Sequence, residues 1–382
     1  MFAPSIKQVL SDFNTSSEFL GSFLISVYNF GYASGPLVIA PLSELYGQLI
    51  LYHATNLLFL LFIVASALSN SINTLFVFRV LSGMAGSAVL NLGGGTIASM
   101  FVQEERGRAM AFWTIGPLLG PVVGPMAGGF IAERKGWRWV FWILAIAVSV
   151  QLVLPRPRPP WATTLIEFKA TIVIIPFFII FRETYPPVIL RRRARHRAKV
   201  NPNSTKPIQN PNAPSPRRLF LRTIILPIRL LLFSPIILFL SIFIAIVFGY
   251  LQVLNTTFPY VFQDQYGFSE SLTGLSYLGL GIGMLVGVAF FGLLSDRLLK
   301  RAAAKGNGEL KPEYRLQLML PGVFLIPVSL FSYGWTAQYS VFWFVPIFCT
   351  SLFGFSLNTT MVSSRYIATA ATCGCSAHGQ VG

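Results

Sequence analysis

The stretch of sequence that decides the fold is Gly116-Pro-Leu-Leu-Gly120-Pro-Val-Val-Gly124-Pro-Met-Ala-Gly128-Gly129. It lies in an apolar run over residues 109–131, which is long enough to cross a bilayer as a helix. Its glycines recur at every fourth position, so they lie along one helical face where a second helix can approach closely in lipid. The interleaved prolines remove backbone donors and bend the helix. Two interpretations stay open, a hinge between helical bundles and a tightly packed membrane helix.

The composition indicates an integral membrane protein. Hydrophobic residues make up 54% of the chain and charged residues 11%, and the mean hydropathy is +0.64. The formal net charge of +16 would suit a nucleic-acid partner. However, the basic residues are grouped between apolar runs, as they are in cytosolic loops that obey the positive-inside rule. We therefore expect a lipid bilayer and no nucleic acid as partner, and the oligomeric state stays unknown.

Nine apolar runs are predicted to cross the membrane as helices. The loops at 102–108, 182–229 and 296–315 carry Lys and Arg, so we expect them in the cytosol and the loop at 259–271 outside. Residues 155–170 look inserted, and a second crossing between 137 and 181 would place the basic stretch outside. We therefore count one crossing there. The nine runs are 20–40, 49–68, 75–101, 109–131, 137–154, 231–253, 272–294, 318–335 and 341–362.

The predicted organisation is all-α, with two helical bundles joined by a linker. Residues 1–181 form the first bundle, 182–229 a basic cytosolic linker rich in Asn, Pro and Ser, 230–368 the second bundle and 369–382 a divergent tail. The two bundles echo each other, because Glu44 follows one span and Asp296 with Arg297 follows its counterpart. Acids at matching places are what a parallel repeat would produce.

Arg79 is the residue that stands out within a span. It lies roughly 10 Å into the helix at 1.5 Å per residue, and an arginine at that depth costs on the order of 3 kcal/mol. One interpretation is a side chain that snorkels to the interface. The other is a cation that faces a cavity and tunes a nearby proton site.

Other polar side chains within or near the ends of spans are candidates to line a substrate cavity, although hydrogen bonding between helices would also explain them. These are Tyr28, Asn29, Asn91, Gln252 and Asn255. No enzyme signature competes with a transport function, because the three histidines are scattered and form no His-Glu-x-x-His pair. The three cysteines predict neither a disulfide framework nor a metal site. We expect no cofactor.

Several motifs resemble those of the major facilitator superfamily. The sequence Gly120-x-x-x-Gly124-Pro125-x-x-Gly128-Gly129 is similar to the antiporter motif of its fifth span, which is largely confined to members that exchange substrate for protons. Arg79-x-x-x-Gly83 matches the motif of the fourth span, whose arginine is implicated in proton transfer. A gating motif between the second and third spans matches Pro41-Leu-Ser-Glu44-Leu-Tyr-Gly47. Further signatures look like the fungal twelve-span drug:proton antiporters, among them Gly136-Trp-Arg-Trp139 and Arg182-Glu-Thr-Tyr-Pro-Pro187.

This resemblance implies a major facilitator fold and an exporter of small organic compounds such as drugs and toxins. The proton gradient would be the energy source, protons and a small-molecule substrate the partners, and the plasma membrane the location. Arg79 would couple protons, and Glu44, Gly47, Asp296 and Arg297 would belong to the gating motif. Transport would follow alternating access about a site near the midplane.

The chain also departs from the family pattern. Gln48 and Leu49 stand where the family places basic residues, and the pattern is lost after Asn358. Counted against twelve spans, the first, eleventh and twelfth are missing, so we expect an incomplete fold of about nine spans. An alternative function follows from these departures, namely a non-transporting truncated membrane remnant or a scaffold of the same fold.

Overall fold

A computed structural model describes residues 1–15, 17–100, 106–153, 225, 229, 231–305 and 319–378, and these ranges are helical apart from short connections. A 3-10 turn at Ala3–Ser5 leads into the first helix, and a π turn at Val261–Gln265 lies between α8 and α9. The helices are α1 Ile6–Asp12, α2 Glu18–Tyr46, α3 Gln48–Ala67, α4 Ile72–Gly86, α5 Ala88–Met100, α6 Arg106–Lys135, α7 Trp137–Val153, α8 Pro235–Tyr260, α9 Glu270–Lys305, α10 Met319–Gln338 and α11 Phe344–His378.

Seven segments in the described part are long and apolar enough to cross a membrane, and each coincides with a predicted span. Trp137–Ser149 is a shorter apolar helix, and α6, with its 30 residues, covers the glycine-rich run. Large apolar side chains on the spans are left uncovered, including Phe30, Phe239 and Phe324 at 69%, 70% and 71% exposure. Such a surface suits hydrocarbon and not water. The seven segments are Glu18–Tyr46, Ile50–Ala67, Ile72–Gly93, Ile237–Gln265, Glu270–Phe290, Leu320–Gln338 and Phe344–Met361.

The chain packs as two compact units. Unit 1 consists of residues 1–8, 118–136 and 229–382, and unit 2 consists of residues 9–117 and 137–228. Unit 1 therefore combines the second half of α6 with the helices that follow the linker. The bundle boundaries at 181 and 229 stay a prediction.

In unit 2, α2 and α4 approach closely because glycines remove the side chains between them. A Cβ added at Gly31 would overlap the Val80 carbonyl, and one at Gly35 would lie 2.7 Å from the Met84 carbonyl oxygen. The Ser17 and Ser71 hydroxyls cap α2 and α4 by accepting from Leu20 N and Thr74 N. Packing of small residues is the means of helix association in lipid.

Unit 1 has an aromatic and aliphatic core shared by α8, α9, α10 and α11. Phe258 lies at its centre, with its ring centroid 4.5 Å from that of Tyr277 and 5.8 Å from that of Tyr333. Glycines in α9 again allow close packing, this time on α11. A Cβ at Gly279 would lie 2.6 Å from the Ile347 carbonyl oxygen, and one at Gly287 would lie 2.8 Å from that of Phe355.

Several boundaries differ from the sequence prediction. Helical structure continues through Gln265 in the loop predicted at 259–271 and through Lys305 in the loop predicted at 296–315. The span at 75–101 is interrupted by a one-residue turn at Ser87, which separates α4 from α5. Residues 133–135, which lie between the predicted spans 109–131 and 137–154, continue α6 up to Gly136, whose φ of +89° ends the helix at little steric cost for glycine. The backbone of residues 369–378, interpreted as a divergent tail, continues α11.

Candidate functional site

Arg79 lies inside unit 2, with only 8% of its surface exposed. Its Nε donates a hydrogen bond to the Leu24 carbonyl oxygen over 3.3 Å. Its guanidinium carbon lies over the Tyr28 ring, 5.6 Å from the centroid, and 6.0 Å from the centroid of Phe141. These distances fall within the range of cation–π attraction. The side chain thus contacts α2 and α7 from its place on α4. A role in proton transfer stays a prediction.

The glycines that follow Arg79 on α4 make room for Tyr28. A Cβ at Gly83 would overlap the Tyr28 carbonyl oxygen and lie 3.0 Å from the Tyr32 amide nitrogen, so α2 comes within backbone contact of α4. A Cβ at Gly86 would lie 2.9 Å from the Tyr28 hydroxyl oxygen. Arg79, Gly83 and Gly86 share a helix face at spacings of four and three residues. The Arg-x-x-x-Gly motif thus forms a shallow groove in which Tyr28 lies.

The antiporter-motif glycines on α6 divide into an open and a closed half. A Cβ at Gly116 or Gly120 would meet no described atom within 4 Å, whereas one at Gly128 or Gly129 would overlap the backbone of Met1 or of Glu270. From the α9 side, a Cβ at Gly274 would lie 2.6 Å from the carbonyl oxygen of Pro125. The closed half is therefore a point of direct backbone approach between α6 and α9. Tight packing accounts for this half, and the hinge stays a prediction.

Polar contacts surround the same end of α6 in unit 1, and the sequence analysis did not identify them. The Glu133 carboxylate accepts hydrogen bonds from the Ser271 hydroxyl and, over 2.9 Å, from the Ser271 amide nitrogen at the start of α9. Lys7 forms an ion pair with Asp264. The Ser271 hydrogen bonds hold the pKa of Glu133 below its ordinary value. In the sequence, the acidic residue was the one sign of this site, because its hydrogen-bond partner lies 138 residues further along the chain.

Further backbone carbonyls anchor the first residues of the chain at this end of unit 1. The Gln8 side-chain amide donates to the Ala132 carbonyl oxygen over 3.1 Å, and the Gln263 amide donates to the Pro4 carbonyl oxygen over 3.0 Å. The start of the chain, the end of α6 and the π turn are thus joined by side-chain hydrogen bonds to backbone. We call the contacts of Lys7, Gln8, Glu133, Gln263, Asp264 and Ser271 the polar end of unit 1.

The structure describes the side chains of the first half of the gating motif. Gly47 connects α2 to α3 with φ +96°, a conformation that favours glycine, and its amide donates to the Ser43 carbonyl oxygen. Glu44 is half-buried on the last turn of α2. Gln48, which stands where the family places a basic residue, accepts a hydrogen bond from the Thr96 hydroxyl over 3.0 Å. Asp296 and Arg297 lie on α9, and their side chains are outside the described part.

The candidate cavity residues are distributed over both units. Tyr28 and Asn29 are half-buried on α2, and exposed Asn91 on α5 donates to the carbonyl oxygen of Ser87, the turn residue before that helix, over 2.8 Å. Gln252 and Asn255 are half-buried on α8, where the Asn255 carbonyl oxygen accepts from the Tyr277 hydroxyl over 2.9 Å. Of the five, Tyr28 contacts Arg79. A role in substrate binding stays a prediction for each of them.

The comparison with known families decides what kind of protein carries this site. The sequence profile of the Major Facilitator Superfamily matches residues 1–374. The chain belongs to the major facilitator superfamily. Members of this superfamily are membrane transporters and multi-pass integral membrane proteins, as the apolar helices of this chain also indicate.

Characterised fungal members of the superfamily are similar to almost the whole chain. An MFS-type transporter of Penicillium rubens, penM, is 46% identical over 97% of this chain and 69% of its own length. The efflux pump radE of Floropilus chiversii is 44% identical over 96% of this chain and 64% of its own length. The chain thus spans about two thirds of the length of these relatives.

Solved structures of the superfamily share the fold. A partially occluded inward-open structure of the E. coli xylose transporter XylE superposes with a TM-score of 0.61 over 97% of this chain and 82% of its own. The sequence identity is 14%. At that level the similarity shows the fold, and the major facilitator fold expected from the motifs is confirmed.

Proposed function

We propose that this protein exports small organic compounds across the plasma membrane in exchange for protons, by alternating access. The observation that carries the proposal is the burial of Arg79 within a membrane span, because a guanidinium at this depth is costly to insert and marks a functional site by default. Its helix also presents the groove that admits Tyr28. The name of one relative, an efflux pump, supports the direction of transport.

A permanently charged guanidinium inside the helix packing has a defined electrostatic effect. It stabilises a nearby anion and destabilises a nearby cation, so it favours release of a proton from any acidic group that enters its range. Proton binding and release can then alternate with substrate binding as the two access states exchange.

The proton gradient is sufficient for such an exchange without a bound cofactor. A membrane potential of 100 mV supplies about 2.3 kcal/mol per charge, and each pH unit adds about 1.4 kcal/mol. One proton therefore sustains a substrate gradient of a few hundredfold when both contribute.

The antiporter motif on α6 would be the place where this helix moves against its neighbour during transport. On its closed half, α6 touches the backbone of α9 at Gly129 and Gly274, and its open half at Gly116 and Gly120 presents no side chain. A smooth helix of this kind can slide or rock against a neighbour with few side chains to repack. The gating residues Glu44, Gly47, Asp296 and Arg297 would limit that movement at the cytosolic side.

The test is efflux of a rhodamine dye from yeast that lacks its own drug exporters. Wild type, Arg79→Ala and Arg79→Lys are expressed in this yeast, and their amounts at the cell surface are matched. We expect energised export by wild type, none by the alanine variant and partial export by the lysine variant, which keeps the charge but not the guanidinium. Equal export by the alanine variant would contradict the role of Arg79.

The alternative is a non-transporting scaffold of the same fold. The same experiment separates it from transport. Wild-type protein that reaches the plasma membrane and exports none of a panel of dyes and drugs would favour the scaffold.

A further inference from the structure

The surroundings of Arg79 are supplied by one face of α2. Leu24, which accepts the hydrogen bond from Nε, and Tyr28, whose ring lies beneath the guanidinium, are four residues apart. Residues at that spacing lie one above the other on a helix. A single helical turn therefore provides both an acceptor in the plane of the guanidinium and an aromatic face against it. Phe141 of α7 stands at a second side, 6.0 Å from the guanidinium carbon.

The position of the Tyr28 ring is determined by its backbone and by α4. Its carbonyl oxygen rests where a Gly83 side chain would be, and its hydroxyl oxygen lies 2.9 Å from where a Gly86 Cβ would be. Tyr32, one turn further on α2, stacks on it with a centroid separation of 6.1 Å and an interplanar angle of 28°. The backbone of Tyr28 and the hydroxyl end of its ring thus lie against α4, so the ring presents a defined surface to Arg79.

We propose that Tyr28 is a positioning residue for Arg79: its ring holds the guanidinium in the orientation that couples substrate export to proton entry. The inference rests on the proposed function of Arg79 and assigns the partner on which that function depends. It also explains the glycine of the motif, because the lack of a side chain at Gly83 allows Tyr28 to approach α4.

The chemistry of the contact predicts which substitutions matter. The attraction comes from the quadrupole of the ring, so phenylalanine keeps it and leucine, although apolar, does not. A cation–π contact of the usual strength corresponds to an effect between about twofold and thirtyfold on a rate or an equilibrium. The hydroxyl of Tyr28 is not required by this account.

The first experiment measures coupling in membrane vesicles. Rhodamine accumulation against its gradient is driven by an imposed pH difference, and downhill exchange of the dye is measured without one. Tyr28→Leu is expected to lose accumulation by a factor in that range relative to its own rate of downhill exchange, and Tyr28→Phe is expected to keep the wild-type ratio of the two rates. Phe30→Leu is the matched control, because it removes an aromatic ring two residues along α2 whose side chain is 69% exposed, and it should retain coupled accumulation.

A second experiment measures the contact without reference to transport. The midpoint of thermal unfolding is compared for Tyr28→Leu, Arg79→Met and the double variant of the purified protein. If the ring acts on the guanidinium, Tyr28→Leu shifts the midpoint less in the Arg79→Met background than in wild type. If wild type shows no transport, the proposed function fails, and this thermal comparison still decides whether Tyr28 acts on Arg79.

Three results would overturn the inference. Full pH-driven accumulation by Tyr28→Leu would show that Arg79 does not depend on the ring. Equal loss in Tyr28→Phe and Tyr28→Leu would assign the effect to the hydroxyl, and additive shifts of the unfolding midpoint would remove the contact altogether.

Discussion

Replacing Gly274 by alanine places a methyl group at the point where α9 meets the backbone of α6. The added Cβ would lie 2.6 Å from the Pro125 carbonyl oxygen and 3.1 Å from the Met126 Cα, whereas ordinary contact begins at 3.4 Å. Both neighbours belong to a helical backbone, so no flexible side chain can turn away. The two helices must separate by roughly 0.8 Å or deform locally to admit the methyl group.

The cost of this overpacking is about 1–3 kcal/mol. Alanine in a helix interior also gains about 0.5–1 kcal/mol over glycine, which offsets part of that cost. Gly249→Ala on α8 is the matched control, because a Cβ there meets no described atom within 4 Å. Both variants share the gain in helix propensity, so the difference between them isolates the packing cost.

The assay is thermal stability of the detergent-purified protein, followed as loss of the monodisperse peak after heating. Gly274→Ala should unfold at a lower temperature than wild type, and Gly249→Ala at the same or a higher temperature. Since membrane proteins often unfold irreversibly, all three proteins must be heated at one rate. If Gly274→Ala matches Gly249→Ala, the backbone approach between α6 and α9 is wrong.

Three further predictions concern topology and the polar end of unit 1. A single cysteine at Asn210 in a cysteine-free background should resist an impermeant thiol reagent in intact cells, and ready labelling would place the basic linker outside. Lys7→Asp should weaken the contact with Asp264, and exchanging the charges of both residues should restore it. The effects on the free energy of unfolding should stay below about 1 kcal/mol because the pair is partly exposed. A thermal double-mutant cycle that shows no coupling between the two residues would contradict the ion pair. The lowered pKa of Glu133 means that its contact with Ser271 stabilises the fold above the ordinary carboxyl pKa and is lost as the pH falls through the lowered value. Glu133→Gln should therefore be less sensitive to acid than wild type in thermal unfolding, and an unchanged acid response would show that the carboxylate does not contribute.

The features that depend on local sequence could be predicted before the structure. Glycine at every fourth position defines a bare helix face whatever packs on it, so the glycine face of α6 followed from spacing. The depth of Arg79 followed from the helix start at Ile72, because the rise per residue is constant. Spans were located by apolar length alone, since the bilayer sets that length.

The features that depend on distant partners could not be predicted. Tyr28 was a cavity candidate, but nothing in the sequence assigned it to a residue 51 positions away. The same applies to the pairing of Glu133 with Ser271 and to which half of the α6 glycine face is closed. Glu133 was also misplaced in a loop, because the single positive φ at Gly136 that ends the helix is not visible in composition.

The structure gives a further interpretation of Gln48, a residue that departs from the family pattern. Its place in the gating motif was interpreted as the loss of a basic group. The structure adds a contact, because its side-chain oxygen accepts from Thr96 on α5 and ties the start of α3 to its own unit. A neutral side chain is suited to that hydrogen bond, whereas a lysine would supply no acceptor.

The central claim, coupled export through a site that includes Arg79, is tested most directly by dye uptake into inside-out vesicles with an acidic lumen. Wild-type vesicles should accumulate the dye while the pH difference lasts and release it when a protonophore collapses the gradient. Arg79→Ala vesicles with the same protein content should accumulate none. Uptake by wild type that ignores the protonophore, or equal uptake by the alanine variant, would contradict the account.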